Sequence, residues 1–189
     1  LRPGILSPKP STASNPCAEC GARCCKKFLI APTASDIARL SSKLCVAAPE
    51  FLEAFPAERC ACIHAPSFWV DGKEVFVGLK RKKGACLFLR GNACSVHGFK
   101  PLVCRTFPFC LNKYEVEKSS FCGKDVLMEK DGKSLIERYE RELKLMRRDA
   151  VEWNWRTGGE RGLGQLARFM QAKARERVGI SRIISKLKF

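Results

Sequence analysis

Apolar residues recur every three or four positions in two long stretches of the C-terminal third, and that spacing predicts two helices. The first runs from about Ser134 to Trp155 with Leu135, Tyr139, Leu143, Met146 and Ala150 on one face, and Thr157-Gly158-Gly159 breaks it. The second runs from about Leu163 to Val178 through Leu166, Met170 and Ala174, with Gly179 as its stop. A tail from Ile180 interleaves Ile183, Ile184 and Leu187 with Arg182, Lys186 and Lys188, the pattern of a short amphipathic helix. Earlier, Ile37, Leu40 and Leu44 share one face of a helix capped by Thr33, with Asp36 closing the capping box. Pro49 predicts the start of a short helix carrying Phe51, Leu52 and Phe55, and Pro56 ends it. Between 67 and 79 the pattern changes: Phe68–Val70 and Val75–Val77 flank Asp71-Gly72, which predicts a β-hairpin. Residues 86–110 show no helical period and read as turns and short extended pieces.

These elements predict an α+β fold. It is a small, irregular, cysteine-rich, metal-stabilised domain with a short β-hairpin and peripheral helices, followed by C-terminal helices. The implied organisation is an extended arm over 1–16, rich in Pro, Ser and Thr, a metal-binding domain over 17–122, and a basic helical extension over 123–189. A chain of 189 residues with 46% hydrophobic content can bury a core. No run approaches the roughly 20 apolar residues that span a bilayer. The chain starts at Leu1 rather than Met, as a processed or trimmed form would. Net charge is +16, and residues 159–189 hold eight basic side chains against two acidic ones. Such a surface attracts RNA, DNA, an acidic protein or an anionic membrane. For RNA, Lys80-Arg81-Lys82-Lys83 beside Phe76 and residues 161–188 are the candidate contacts.

Cysteine changes the picture most, with twelve in the chain. Cys17-x2-Cys20-x3-Cys24-Cys25 comes first, and Cys86, Cys94 and Cys104 follow in a later segment. Vicinal Cys24-Cys25 and short spacings suit a metal better than a disulfide scaffold, which points to a reducing compartment: cytoplasm, mitochondrial matrix or plastid stroma. A soft thiolate set selects zinc, copper(I) or an iron–sulfur cluster. Cys17 and Cys20 have the spacing of a turn that presents two sulfurs, Cys24 or Cys25 adds a third, and Cys86, Cys94 or Cys104 closes the site from afar. Gly21 can take the φ that wraps backbone around a metal. His97 is a ligand through imidazole, a hydrogen-bond partner of a ligand sulfur, or an ordinary packed or surface histidine. Cys45, Cys60, Cys62 and His64 form another compact soft-ligand set, read either as a second site or as buried free thiols. Cys110 and Cys122 are further candidate ligands. Arg105 either lowers the negative potential of the thiolates or makes a plain salt bridge, and Phe107, Pro108 and Phe109 form an apolar wall against solvent.

The joint occurrence of Cys17-x2-Cys20-x3-Cys24-Cys25, Cys86-Leu-Phe-Leu89, Cys94-Ser-Val-His97 and Lys100-Pro101-x2-Cys104-Arg105-x-Phe107-Pro108-Phe109 resembles the YkgJ-type family of zinc- or iron-chelating proteins. The resemblance covers about residues 17–110. It implies that Cys17, Cys20, Cys24, Cys25, Cys86, Cys94 and Cys104 are the ligand pool. Members are often described as holding an iron–sulfur cluster, and a similar segment occurs in flagellin lysine methylases, so a cluster is favoured over zinc. Where the family often carries an aromatic and then an acidic residue after the Cys94 position, this chain has Val96, His97 and Lys100. Loss of that acid speaks against a carboxylate-dependent reaction. The insert of more than fifty residues between the motifs and the basic C-terminal helices read as additions for partner contact.

No glycine-rich nucleotide loop, His-Glu-x2-His pair or Ser-His-acid set is present, and the chain has two histidines. The function expected is therefore a non-catalytic metal-binding accessory or integral subunit of a larger, RNA-containing assembly, with the metal stabilising the fold. The alternative is an iron–sulfur enzyme or electron carrier related to cluster-bearing modifying enzymes. Metal delivery, with Cys24-Cys25 and Cys110 as exchange thiols, is a third reading.

Overall fold

The computed structural model describes residues 21–60, 64–112, 115–119, 121–122 and 132–186, so the arm over 1–16, Cys17, Cys20 and Cys62 lie outside the described residues. Its centre is a three-stranded antiparallel sheet of β1 (Leu52–Pro56), β2 (Phe68–Val70) and β3 (Lys73–Leu79) in the order β1-β3-β2. The expected hairpin is there, with Phe68 opposite Val75 and Val70 opposite Lys73 around the Asp71-Gly72 turn. β3 is the middle strand and buries Val75, Val77 and Leu79 on one face, the period-2 pattern of a half-covered sheet.

The helix expected from Pro49 to Pro56 is not formed. Ala48–Glu50 is a single 3-10 turn, and Leu52–Pro56 pairs with β3 from Leu52↔Leu79 to Pro56↔Val75. The free edge of β3 offers this segment a full set of backbone partners. Pro56, which has no N–H to give, sits at the end of the resulting edge strand.

The helix predicted after Thr33 is α2 (Ala34–Leu44), which has the full capping box: Asp36 N donates to Thr33 Oγ1 at 3.2 Å and Thr33 N to Asp36 Oδ2 at 3.1 Å. Preceding it is the five-residue α1 (Arg23–Lys27). After the sheet come the ribbons β4 (Arg81–Lys82)–β5 (Ala85–Cys86) and β6 (Leu89–Arg90)–β7 (Ala93–Cys94), then α3 (Leu102–Thr106). A third ribbon pairs β8 (Phe109–Asn112) with β9 (Glu115–Lys118). Residues 86–110 are thus the turns and short extended pieces expected.

Two long helices complete the fold, α4 (Gly132–Thr157) and α5 (Leu163–Lys186). The buried face of α4 uses Ile136, Leu143, Met146, Ala150 and Trp153; Ile136, and not the expected Leu135, makes its first inward contact. α5 does not stop at Gly179. One interior glycine costs a helix only about 1 kcal/mol, and propagating an established helix is easy, so it runs on to Lys186 and absorbs most of the expected separate tail helix.

These helices are built into the sheet. Asn154 accepts from Trp69 N at 2.8 Å and Trp153 Nε1 donates to Trp69 O at 2.8 Å, so α4 side chains satisfy the backbone of edge strand β2. The hairpin turn in its turn donates to the α4–α5 connection, Gly72 N to Gly159 O at 2.9 Å and Asp71 N to Arg161 O at 3.3 Å. One apolar cluster joins Ile37, Leu40 and Leu44 of α2, the sheet, Cys86, Phe88 and Val96 of the ribbons, and Met146, Trp153, Leu166 and Met170 of the long helices.

Candidate metal centre

Three separated segments bring cysteines to the base of that core, and each is fixed by polar contacts to backbone. Gly21 and Ala22 both take left-handed φ, 68° and 54°, and this tight turn launches α1 with Cys24 and Cys25 in it. The far end of α1 is clamped by Arg81, whose guanidinium donates to Phe28 O at 2.7 Å, to Lys26 O at 2.5 Å and to Gly84 O. Arg81 itself belongs to the β4–β5 ribbon that carries Cys86. Backbone bonds Leu87 N to Lys80 O (2.8 Å) and Ser95 N to Phe88 O (2.9 Å) close the outer ends of the β4–β5 and β6–β7 ribbons in turn, and the second places Cys94.

Cys104 rides on α3, and α3 hangs from Asp36. This carboxylate is fully buried, and both its oxygens accept from Leu102 N at 3.1 Å. Arg39 bridges the same carboxylate (2.5 Å) to Lys100 O (3.0 Å). One side chain thus caps α2 and starts the helix that presents Cys104.

The electrostatics report a shared thiol locus. Cys24 is held below the usual thiol range, first by its hydrogen bond with the Cys25 side chain, with Lys100 helping. Cys25 is driven the other way by the same bond, then by burial and by the charges of Cys24, Cys104 and Cys86. The vicinal pair therefore holds one thiolate more readily than two. Burial pushes Cys86 up, and Cys94 and Cys24 add to the effect while the Phe88 N–H and Arg81 oppose it. Burial also holds Cys104 well above its usual range, reinforced by Cys86, Cys94 and Cys24. Thiols that raise one another's pKa resist ionising together. A bound cation reverses that, because metal binding displaces the protons and the thiolates become ligands.

The donor set fits zinc or iron in its chemistry, with soft sulfurs from five described cysteines, Cys24, Cys25, Cys86, Cys94 and Cys104. Among the described residues, no group of three or more His, Cys, Asp or Glu side chains is arranged to hold a metal ion, and Cys17 and Cys20 lie outside that set. Phe28 sits beside the locus, its ring 5.9 Å from Phe107 edge-on and 4.5 Å from Phe121. Arg23 and Lys27 of α1 lie over the Phe121 ring at 5.0 and 5.3 Å. Phe107 is thus part of an aromatic wall, whose other members, Phe28 and Phe121, the sequence pattern did not single out.

Of the remaining candidates, His97 lies in a 3-10 turn (His97–Phe99), and Lys100 Nζ donates to its Nε2 at 3.2 Å. Burial and then Lys100 lower its pKa, which keeps the ring neutral. Arg105 is exposed. Cys45 is exposed in the left-handed cap of α2, with its thiol donating to Ser42 O at 3.6 Å; Cys60 is half-buried and His64 exposed. Cys110 is exposed and donates to Glu117 O at 3.9 Å, while Cys122 is half-buried.

Sequence reasoning missed the fixing roles of Asp36, Arg81 and Lys100. Asp36 was legible as a cap, Arg81 as part of a basic run and Lys100 as a departure from the family pattern. None of these signals says that the side chain also reaches a residue dozens of positions away.

The donor chemistry of the thiol locus is that of a metal-chelating protein. A family profile described as "Putative zinc- or iron-chelating domain", CxxCxxCC, matches residues 16–123, and the chain belongs to that family. The match takes in every cysteine of the expected ligand pool, and chelation of zinc or iron is what the expected cluster or zinc requires. No curated protein and no solved structure matches the chain. Among the described residues, no helix is long and apolar enough to cross a membrane.

Proposed function

We propose that this metal-chelating protein is a non-catalytic accessory or integral subunit of a larger, RNA-containing assembly in a reducing compartment, and that its metal centre is an iron–sulfur cluster that stabilises the fold. The observation that carries the reading is the way the cysteines are placed. Cys24-Cys25, Cys86, Cys94 and Cys104 come from separate short segments, Cys25, Cys86, Cys94 and Cys104 pack against the common core, and the thiols raise one another's pKa, which supports a metal stapling them. The net charge of +16 supports an anionic partner. Part of the expected basic surface is already committed: Arg81 clamps α1, Arg177 binds buried Asp149 through both carboxylate oxygens at 2.6 Å, and Lys173 pairs with Glu152 at 2.7 Å. Exposed Lys82, Lys83, Arg168 and Arg175 remain for a partner.

Two measurements test the reading. Anaerobically isolated protein should contain iron and sulfide and absorb in the visible; stoichiometric zinc in a colourless protein replaces the cluster with zinc. Sedimentation of a cell extract should place the chain in a large particle that shrinks on ribonuclease treatment. A chain that sediments alone, with a cluster that cycles reversibly between redox states, overturns the subunit reading in favour of an electron carrier or enzyme.

A further inference from the structure

Where α4 ends and α5 begins, the surface opens into a cleft of about 580 Å³ whose charged lining is of one sign. Arg156 comes from the last turn of α4, Arg161 from the connection and Arg168 from α5, and no carboxylate lines the cleft. Phe169 contributes a half-buried aromatic ring, backed at 5.4 Å by the ring of buried Trp153 and approached by Lys173 Nζ at 5.5 Å. Among the described residues, the side chains of Arg161 and Arg168 have no hydrogen-bond or ion-pair partner. Arg156 holds Glu152 at 2.9 Å, but Lys173 shares that carboxylate, so it neutralises little of the local charge. The frame around them is fixed by other groups: Arg161 O accepts from Asp71 N, Gly162 N donates to Gln165 Oε1 at 3.1 Å, and Trp153 Nε1 donates to Trp69 O. Folding thus uses the backbone of Arg161 and leaves its guanidinium free.

We infer that this cleft binds a nucleotide unit, its phosphate on Arg161 and Arg168 and its base against the half-buried ring of Phe169. Guanidinium forks match phosphate oxygens two at a time, and aromatic side chains accept any base by stacking. The volume lies within the range of small-ligand sites, roughly 300–1,000 Å³. The nucleotide comes from single-stranded RNA or from solution; the strand source rests on the RNA reading above, whereas the cleft itself does not.

The test uses full-length, metal-loaded protein. Binding of a short fluorescein-labelled oligouridine is followed by anisotropy and binding of uridine monophosphate by calorimetry. The double variant Arg161→Glu/Arg168→Glu is compared with a control of equal charge change, Lys43→Glu/Lys133→Glu, at exposed positions outside the cleft lining, and circular dichroism checks that both are folded. For the strand source, the cleft variant loses at least about tenfold in RNA affinity and its salt dependence flattens, while the Lys43/Lys133 control changes little. Nucleotide binding that needs Arg161 and Arg168, with no effect of the cleft variant on RNA or with no RNA bound, upholds the cleft and assigns it a free nucleotide. RNA binding that survives the cleft variant, with no nucleotide bound, overturns the cleft and leaves the RNA reading standing. If the unsubstituted protein binds neither probe, both fall.

Discussion

Two buried aspartates hold two regions of this molecule, and they do so differently. Asp149, in α4, answers a single guanidinium, Arg177 of α5, in a region where Leu143, Met146, Trp153, Leu166 and Met170 already supply a continuous apolar contact. Asp36 serves three groups at once, Thr33 N, Leu102 N and Arg39, in a region of two-residue strands and a five-residue α3. Long periodic helices can stabilise themselves by burying a stripe. The cysteine-bearing segments have no such stripe, so they rely on side chains that reach into backbone (Asp36, Arg81) and on the thiols. On the proposed reading, a metal at these thiols supplies the cross-link that the cysteine-bearing segments lack, even though their residues join the same core as the helices.

The largest expected effect breaks the cross-link. Cys104→Ser should release metal and lower stability by several kcal/mol, a share of the roughly 10–16 kcal/mol that structural zinc contributes in small domains. Hydrogen exchange after chelation should show 85–106 losing protection ahead of 146–154 and 166–174. Simultaneous loss would make the two regions one cooperative unit and remove the contrast.

Asp36→Ala comes next, at about 2–4 kcal/mol, since it removes one arm of the capping box, leaves Thr33 N and Leu102 N without their acceptor and takes the counter-ion from Arg39. It should also weaken metal retention, because α3 carries Cys104. A variant that melts normally and keeps its metal would mean that Asp36 does not position that helix.

In the helical region, Arg177→Ala should cost about 2–3 kcal/mol by stranding Asp149, and the double change Asp149→Leu/Arg177→Leu should recover most of it, as apolar pairs often replace buried ion pairs without loss. No such recovery is expected for Asp36, whose partners include backbone groups that no leucine satisfies. Urea denaturation of the three proteins checks the difference.

The smallest effect concerns pH. Glu152 has a lowered pKa, first from its bond to Lys173 and then from Arg156, with burial opposing. A depressed carboxylate pKa lends stability above its unfolded value, near 4.3, and that stability is lost as pH falls through the folded value. For so exposed a pair the amount stays within about 1 kcal/mol. Glu152→Gln should therefore shave the neutral-pH melting temperature slightly and leave it unchanged in acid.

Much of this fold was legible from local chemistry. The Thr33–Asp36 box, the Asp71-Gly72 turn and the stripes through Leu143, Met146, Leu166 and Met170 each act over a few residues, and local geometry settles them. The segment 49–56 was not legible, because its choice between helix and strand depended on the free edge of β3, a partner more than twenty residues away. The run through Gly179 and the inward turn of Ile136 were decided by helix propagation and by packing, which a residue's type alone does not announce.

At the site, the cysteine spacings by themselves determined a soft-donor, metal-chelating protein and its family, because ligand type and reach are properties of residues and their separation. Tertiary structure decided what surrounds the thiols. It decided that Lys100 faces Cys24 and His97, that Arg81 holds α1 in place of meeting solvent, and that Asp36 carries α3. Among the described residues it also left Arg161 and Arg168 unpaired beside the ring of Phe169. Charge and hydrogen bonding act through space, and only the folded chain sets those distances.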